Sequence, residues 1–358
     1  MRDGGGGVEK DATRAVKLYE RAIEDHGHIA AMVSLGKLLE KGAEGVNTNA
    51  VRAAELYENA IDKNDVSAMV ALGLLLEKGA EGVETNAARA VQLYERAIEE
   101  DLCVDAMYNL GNLMREGGDE VEKDEARAAK LYERAIEDHG HIAAMVSLGK
   151  LLEKGAEGVN TNAVRAAELY ENAIDKNDVS AMVALGLLLE KGAEGVETNA
   201  ARAVQLYELA IDRRDDDHAL ENLGLLLHHG AEGVEMDEVR AVGLYERAIE
   251  KSRSGNAKVN LADLLRIGGD GVADDDARAM KLLESAIEED GNADAMAHLG
   301  TAMQYGTSGV RRNIGQAARL YTMAIEKDGN NAVALRNLEV LQRGGLGGRT
   351  GAVRRLHG

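Results

Sequence analysis

The sequence predicts an all-α chain: a right-handed α-solenoid superhelix of about nine helix-turn-helix repeats, each 37–38 residues long. Three observations predict it. The dipeptide Leu-Tyr recurs at Tyr19, Tyr57, Tyr94, Tyr132, Tyr170, Tyr207, Tyr245 and Tyr321, with Leu283 standing once in the same register. The segment Lys17–Glu95 returns letter for letter as Lys130–Glu208, an offset of 113 residues and so of three units. Within every unit the apolar residues follow the helical period twice. A fixed period of roughly 20–50 residues marks a stacked array in which each unit contacts mainly its neighbours.

The first helix of each unit is read from the Leu-Tyr step. Alanine stands four residues before the tyrosine position in all nine copies (Ala15 through Ala317), and Ala-Ile follows it three and four residues later, as at Ala22-Ile23. Those offsets draw one apolar stripe on a helix. Eight residues before the tyrosine position stands Asp or Asn: Asp11, Asn49, Asn86, Asp124, Asn162, Asn199, Asp237, Asp275 and Asn313. A short side-chain oxygen there accepts from the free amides of the first turn, which predicts an N-cap.

The second helix centres on a Leu-Gly pair at Gly36, Gly73, Gly111, Gly149, Gly186, Gly224 and Gly300, with Ala262 and Glu339 in the glycine register of units seven and nine. A glycine inside a helix costs about 1 kcal/mol against alanine, so its recurrence predicts close approach to the first helix paired with it. Glu339 marks the ninth unit as the end of the array or a loosely packed one. Six residues on, a glycine recurs in every unit (Gly42 through Gly345), as expected for a left-handed residue that ends a helix. A second glycine and a valine, as at Gly45-Val46, complete the connector. These loops follow helices and lack Gly-x-x-x-x-Gly-Lys-Ser/Thr, so they read as connectors rather than phosphate cradles.

Composition narrows the function. The chain has 358 residues, 45% of them apolar, and no Pro, Phe or Trp, so its core is built from aliphatic residues and one tyrosine per unit. A net charge of −21 disfavours nucleic acid and anionic membranes and favours basic peptides or protein patches. The single cysteine, Cys103, rules out an internal disulfide and reads as an incidental thiol in the loop Asp101–Asp105. With no apolar leader and no run long enough to span a bilayer, the expectation is a cytoplasmic protein. His228-His229, and His26 with His28 (copied as His139 and His141), lack the further ligands of a metal centre and read as structural or surface residues. No singular catalytic cluster interrupts the repeats, and we expect no catalytic residue, no cofactor and no metal.

The run Asp124-Glu-Ala-Arg-Ala-Ala-Lys-Leu-Tyr-Glu-Arg-Ala-Ile, continued by Ala-Met-Val-Ser-Leu-Gly-Lys-Leu-Leu-Glu-Lys-Gly-Ala-Glu-Gly-Val159, resembles the Sel-one-like repeat, a relative of the tetratricopeptide repeats. The spacing recurs nine times over nearly the whole chain. It departs from the family in lacking connector proline and further aromatics in the second helix. The resemblance implies a scaffold or adaptor role. By analogy with tetratricopeptide arrays, the Leu-Gly helix lines a concave groove, and the residues two before, one after and four after the glycine point into it. That analogy makes Asn109, Asn112, Arg115, Asn222, His228, Asn260, Arg266, His298 and Gln304 the candidate protein-binding residues. Asparagine at the first of these positions is suited to bonding the backbone of an extended peptide.

The domain reading is a partial repeat or connector over 1–10, a nine-unit solenoid over 11–343 and a Gly/Arg-rich tail over 344–358. No polar capping repeat precedes the array, which suggests a fragment of a longer array or self-association through that end. The expected function is non-enzymatic protein or peptide binding on the concave surface. A structural spacer or self-assembling array is the alternative, and a hydrolase, by distant analogy with Cys-rich relatives, the remote one.

Overall fold

The computed structural model of the chain describes residues 11–306 and 310–343. The reading of residues 1–10 and of the tail 344–358 falls outside them. The described residues form eighteen α-helices and no strand, in two compact units. The first, up to residue 178, holds α1 (Ala12–His26), α2 (Ile29–Lys41), α3 (Ala50–Ile61), α4 (Val66–Lys78), α5 (Ala87–Asp101), α6 (Val104–Glu116), α7 (Glu125–His139), α8 (Ile142–Lys154) and α9 (Ala163–Ile174). The second, from residue 179 on, holds α10 (Val179–Lys191), α11 (Ala200–Arg214), α12 (Asp217–His229), α13 (Glu238–Ser252), α14 (Gly255–Ile267), α15 (Asp276–Asp290), α16 (Ala293–Tyr305), α17 (Ile314–Lys327) and α18 (Ala332–Arg343). Odd-numbered helices carry the Leu-Tyr step and even-numbered ones the Leu-Gly step.

All nine expected N-caps form. Asp11 Oδ1 accepts from the Arg14 amide at 2.7 Å and Asn49 Oδ1 from the Arg52 amide at 3.0 Å, and the same bond opens every odd helix through Asn313. Such caps contribute about 1 kcal/mol each. The even helices are capped more variously. His28 Nδ1 accepts from the Ala31 amide at 3.2 Å and His141 Nδ1 from the Ala144 amide at 3.1 Å, so each spends a ring nitrogen on its own helix. Cys103 sits at the N-cap of α6 without a capping bond.

The connector glycine has positive φ as expected, but it is not left-handed helical. Gly42 lies at φ 68°, ψ 170°, a region essentially restricted to glycine. The extended ψ carries the chain away from the helix end. Ala43 and Val46 then exchange both backbone hydrogen bonds at 2.9 Å around a two-residue turn. Seven connectors close with this bridge.

The Leu-Gly glycine corrects the expected pairing. Its close neighbour is the tyrosine of the following unit's first helix, not that of its own. A Cβ placed on Gly36 would lie 2.5 Å from Tyr57 Cε1, and one on Gly73 would lie 2.5 Å from Tyr94 Cε1; Gly111, Gly149, Gly186, Gly224 and Gly300 face Tyr132, Tyr170, Tyr207, Tyr245 and Tyr321 in the same way. These seven tyrosines are fully buried. The two exceptions obey the same rule. In α14 the glycine becomes Ala262, and the next first helix carries Leu283 in the tyrosine register, both at 0% exposure. Glu339 lies in α18, which no further helix follows among the described residues.

Successive odd helices also bond directly. Arg52 of α3 reaches Glu20 of α1 at 2.7 Å, Arg240 of α13 reaches Glu208 of α11 at 2.6 Å, and Arg278 of α15 reaches Glu246 of α13 at 2.6 Å. Arg89 with Glu58 and Arg127 with Glu95 make the same rung. Each pair is well exposed and contributes at most about 1 kcal/mol. The rungs align the helices; the buried rings hold them.

Candidate protein-binding surface

The residues expected to face a groove stand on the even helices at fixed positions relative to the glycine. Asn109, Asn112 and Arg115 are on α6 of the first unit. Asn222 and His228 (α12), Asn260 and Arg266 (α14), and His298 and Gln304 (α16) belong to the second. Asn109, Asn222 and Asn260, two residues before the glycine register, are half-buried and make no side-chain hydrogen bond among the described residues. Their amides keep both donor and acceptor capacity at the surface.

The position four residues after the glycine has a structural use that sequence reasoning missed. The buried tyrosine hydroxyl donates to it: Tyr57 to Glu40 at 3.0 Å, Tyr170 to Glu153 at 3.2 Å, Tyr207 to Glu190 at 3.1 Å, Tyr321 to Gln304 at 2.7 Å, and Tyr94 to Glu77. Gln304 is thereby buried, at 5% exposure. Tyr132 donates instead to Asn112 at 2.7 Å. Burial, reinforced by the neighbouring carboxylates at Tyr57, Tyr94, Tyr170 and Tyr207, pushes these phenols well above their ordinary range and keeps them protonated as donors.

In four units the same position is basic; Arg343 of the last pairs with Glu339, and in the other three the pattern breaks. Arg115 Nε, His228 Nδ1 and Arg266 Nε are buried atoms without a hydrogen-bond partner among the described residues. The Tyr245 hydroxyl, which the pattern would pair with His228, is likewise unpartnered. Arg266 and His298 both close on Asp263, at 3.3 and 2.6 Å. Burial pushes the His228 imidazole below its ordinary pKa, and His229, stacked on it at 4.4 Å, pushes the same way against the fields of Glu238 and Asp263. The second unit thus joins His228, Tyr245, Asp263, Arg266 and His298 in one polar cluster. Among the described residues no three metal-binding side chains come together, and no helix is long and apolar enough to cross a membrane.

Glu77 permits a pH test of this arrangement. Burial raises its pKa, Glu116 adds to the rise, and the Tyr94 hydroxyl and Lys78 oppose it. A carboxyl whose folded pKa exceeds its unfolded one costs stability at neutral pH, and that cost fades as pH falls through the folded value. Gln304 shows that an amide accepts the same bond. Glu77→Gln is therefore expected to raise the urea midpoint at pH 7, with the two curves converging below about pH 4. Equal midpoints at every pH would contradict the assignment.

Comparison with known proteins follows the same repeat. The Sel1 repeat family model matches nine times, at residues 1–25, 29–65, 66–102, 104–138, 142–178, 179–215, 217–252, 256–291 and 293–329. Its unit runs from a Leu-Gly helix to the next Leu-Tyr helix, the pair joined by the glycine–tyrosine contact. Among solved structures, the chain is similar to c5321, a protective antigen of uropathogenic Escherichia coli with an SLR fold: 27% identity and a TM-score of 0.67, over 92% of this chain and 67% of that one. It is also similar to a Sel1 repeat protein from Oxalobacter formigenes, with 27% identity and a TM-score of 0.57, over 71% of this chain and 96% of that one. No curated protein matches the chain.

Proposed function

We propose, from the premise that the chain belongs to the Sel1 repeat family, that it is a non-enzymatic scaffold binding a protein or peptide along its Leu-Gly helices. Repeat proteins of this kind generally mediate protein–protein interaction. The observation that carries the reading is the set of surface amides Asn109, Asn222 and Asn260, repeated in one register of the even helices with no internal bond. An unbonded amide on such a helix can pair with the backbone of an extended peptide. The net charge of −21 favours partners with basic segments.

Crosslinking mass spectrometry on the chain in its native cell tests this. Crosslinks to a specific partner are expected from lysines of the even helices, such as Lys37, Lys78 and Lys150, ahead of those on odd helices, such as Lys17, Lys130 and Lys281. A partner crosslinked only through odd helices would move the surface elsewhere. Reproducible turnover by the purified chain, abolished by one point substitution, would overturn the scaffold reading itself.

The identical segments Lys17–Glu95 and Lys130–Glu208 favour a second reading, a spacer or self-assembling array lengthened by whole repeats. Light scattering separates the two: concentration-dependent mass supports assembly, and a constant monomer mass supports the scaffold.

A further inference from the structure

Seven units place a buried tyrosine hydroxyl against the preceding Leu-Gly helix, and in six of them that helix supplies an oxygen acceptor. Four acceptors are glutamates: Glu40, Glu77, Glu153 and Glu190. The other two are amide oxygens, of Asn112 and Gln304. The seventh hydroxyl, on Tyr245 of α13, has none. Its ring is at 0% exposure and its Oη is buried without a partner. The register that elsewhere holds the glutamate holds His228, whose ring lies edge-on at 6.4 Å and whose buried Nδ1 is also unpartnered. Leaving such groups unsatisfied costs stability, which a ligand that meets them recovers.

The charge at this register has also reversed. Two helices further on, Arg266 stands where a glutamate stands in four other units, and its buried Nε has no partner. Asp263 lies beside the cluster, but Arg266 and His298 already hold it. The other carboxylates whose fields reach the cluster are Glu221, near Tyr245, and Glu238, near His228. The unpartnered atoms are a phenol hydroxyl, an imidazole nitrogen and a guanidinium N–H. All three can donate, and the third can only donate.

We propose that α12, α13 and α14 form a carboxylate-binding site, opened when the half-buried His228 and Arg266 side chains turn outward, in which an Asp or Glu side chain of a bound peptide accepts from Tyr245 Oη and His228 Nδ1 beside the Arg266 guanidinium. The ligand thereby supplies the carboxylate that four other units supply from within. The rest of the surface is acidic, so the occupant is a single carboxylate set among basic residues, not an acidic run. This inference rests on the scaffold reading and names one feature of the partner.

The test uses the full chain and three peptides: acetyl-Gly-Lys-Glu-Lys-Gly-amide, its Gln counterpart, and the Gln peptide with a free C-terminal carboxylate. Carbon-13 shifts of the tyrosine rings report the site, with Tyr170 and Tyr207 as internal controls. The Glu peptide is expected to shift Tyr245 saturably and to bind about tenfold more tightly than the Gln amide, the factor expected for one charge-assisted bond. Tighter binding of the free C-terminal acid than of the Glu peptide would overturn the side-chain assignment. Equal binding of the Glu peptide and the Gln amide would overturn the carboxylate assignment. His228→Glu, which restores the internal acceptor, is expected to abolish the Tyr245 response and raise the melting temperature. Tyr245→Phe, read through the His228 resonance, is expected to weaken the Glu peptide about fivefold or more. Binding unchanged in both variants would place the peptide elsewhere. A chain that crosslinks to a partner through its even helices yet ignores all three peptides overturns this site and leaves the scaffold reading intact. A chain that binds the Glu peptide at Tyr245 but turns over a substrate does the reverse.

Discussion

Gly73→Ala is expected to destabilise the chain by about 2 kcal/mol, although alanine is the better helix former. The added Cβ would lie 2.5 Å from Tyr94 Cε1, 2.8 Å from Cζ and 3.1 Å from Cδ1. Tyr94 is fully buried between α4 and α5, so the ring moves only if the helices part. Overpacking of this kind costs about 1–3 kcal/mol or more and outweighs a helix-propensity gain of about 1 kcal/mol. The sign should reverse without the ring: in a Tyr94→Leu background, Gly73→Ala is expected to be neutral or stabilising. The junction between units seven and eight already carries that combination, as Ala262 with Leu283. Urea melts of the four chains in the double-mutant cycle measure the coupling, and hydrogen exchange of α4 and α5 amides localises it. Additive effects would show that the glycine serves some purpose other than admitting the ring.

Tyr207→Ala is expected to cost about 3–5 kcal/mol, the range for deleting a buried aromatic side chain. Phenylalanine separates ring from hydroxyl. Tyr207→Phe keeps the packing but takes the donor from Glu190, 3.1 Å away, and should cost about 1–2 kcal/mol. Tyr245→Phe removes a hydroxyl that has no partner and should be neutral or stabilising by up to about 1 kcal/mol. The same substitution at homologous positions then carries opposite signs. Equal losses at both would mean that Tyr245 is satisfied in solution as its sisters are.

Much of this arrangement is legible in the residues. The period, both helices of each unit, the nine N-caps and the glycine connectors follow from spacing and side-chain chemistry alone, because they are local. The partner of the Leu-Gly glycine is not local. Except at Gly300, a tyrosine-bearing helix lies on either side of each glycine, and spacing does not choose between them. Only the paired exception at Ala262 and Leu283, which fall in consecutive units, points to the following helix. The internal bonds of the candidate residues are not legible either. The unbonded amides of Asn109, Asn222 and Asn260 stand in their expected register, whereas Gln304 and the glutamates of its register are taken up by tyrosine hydroxyls. That bond spans 17 residues and two helices, a reach that helical periodicity does not encode.

The ring-to-glycine match also governs how such an array changes length in evolution. A recombination that adds or removes whole units leaves most junctions sound, since any glycine-bearing helix can receive any tyrosine-bearing one. The duplicated segment illustrates this, with Gly111 receiving Tyr132 just as Gly36 receives Tyr57. Unit seven is the exception. Any exchange that placed a tyrosine-bearing helix after Ala262 would drive a ring into a methyl group. The joint between α14 and α15 is therefore inherited as one piece, while its neighbours remain free to multiply.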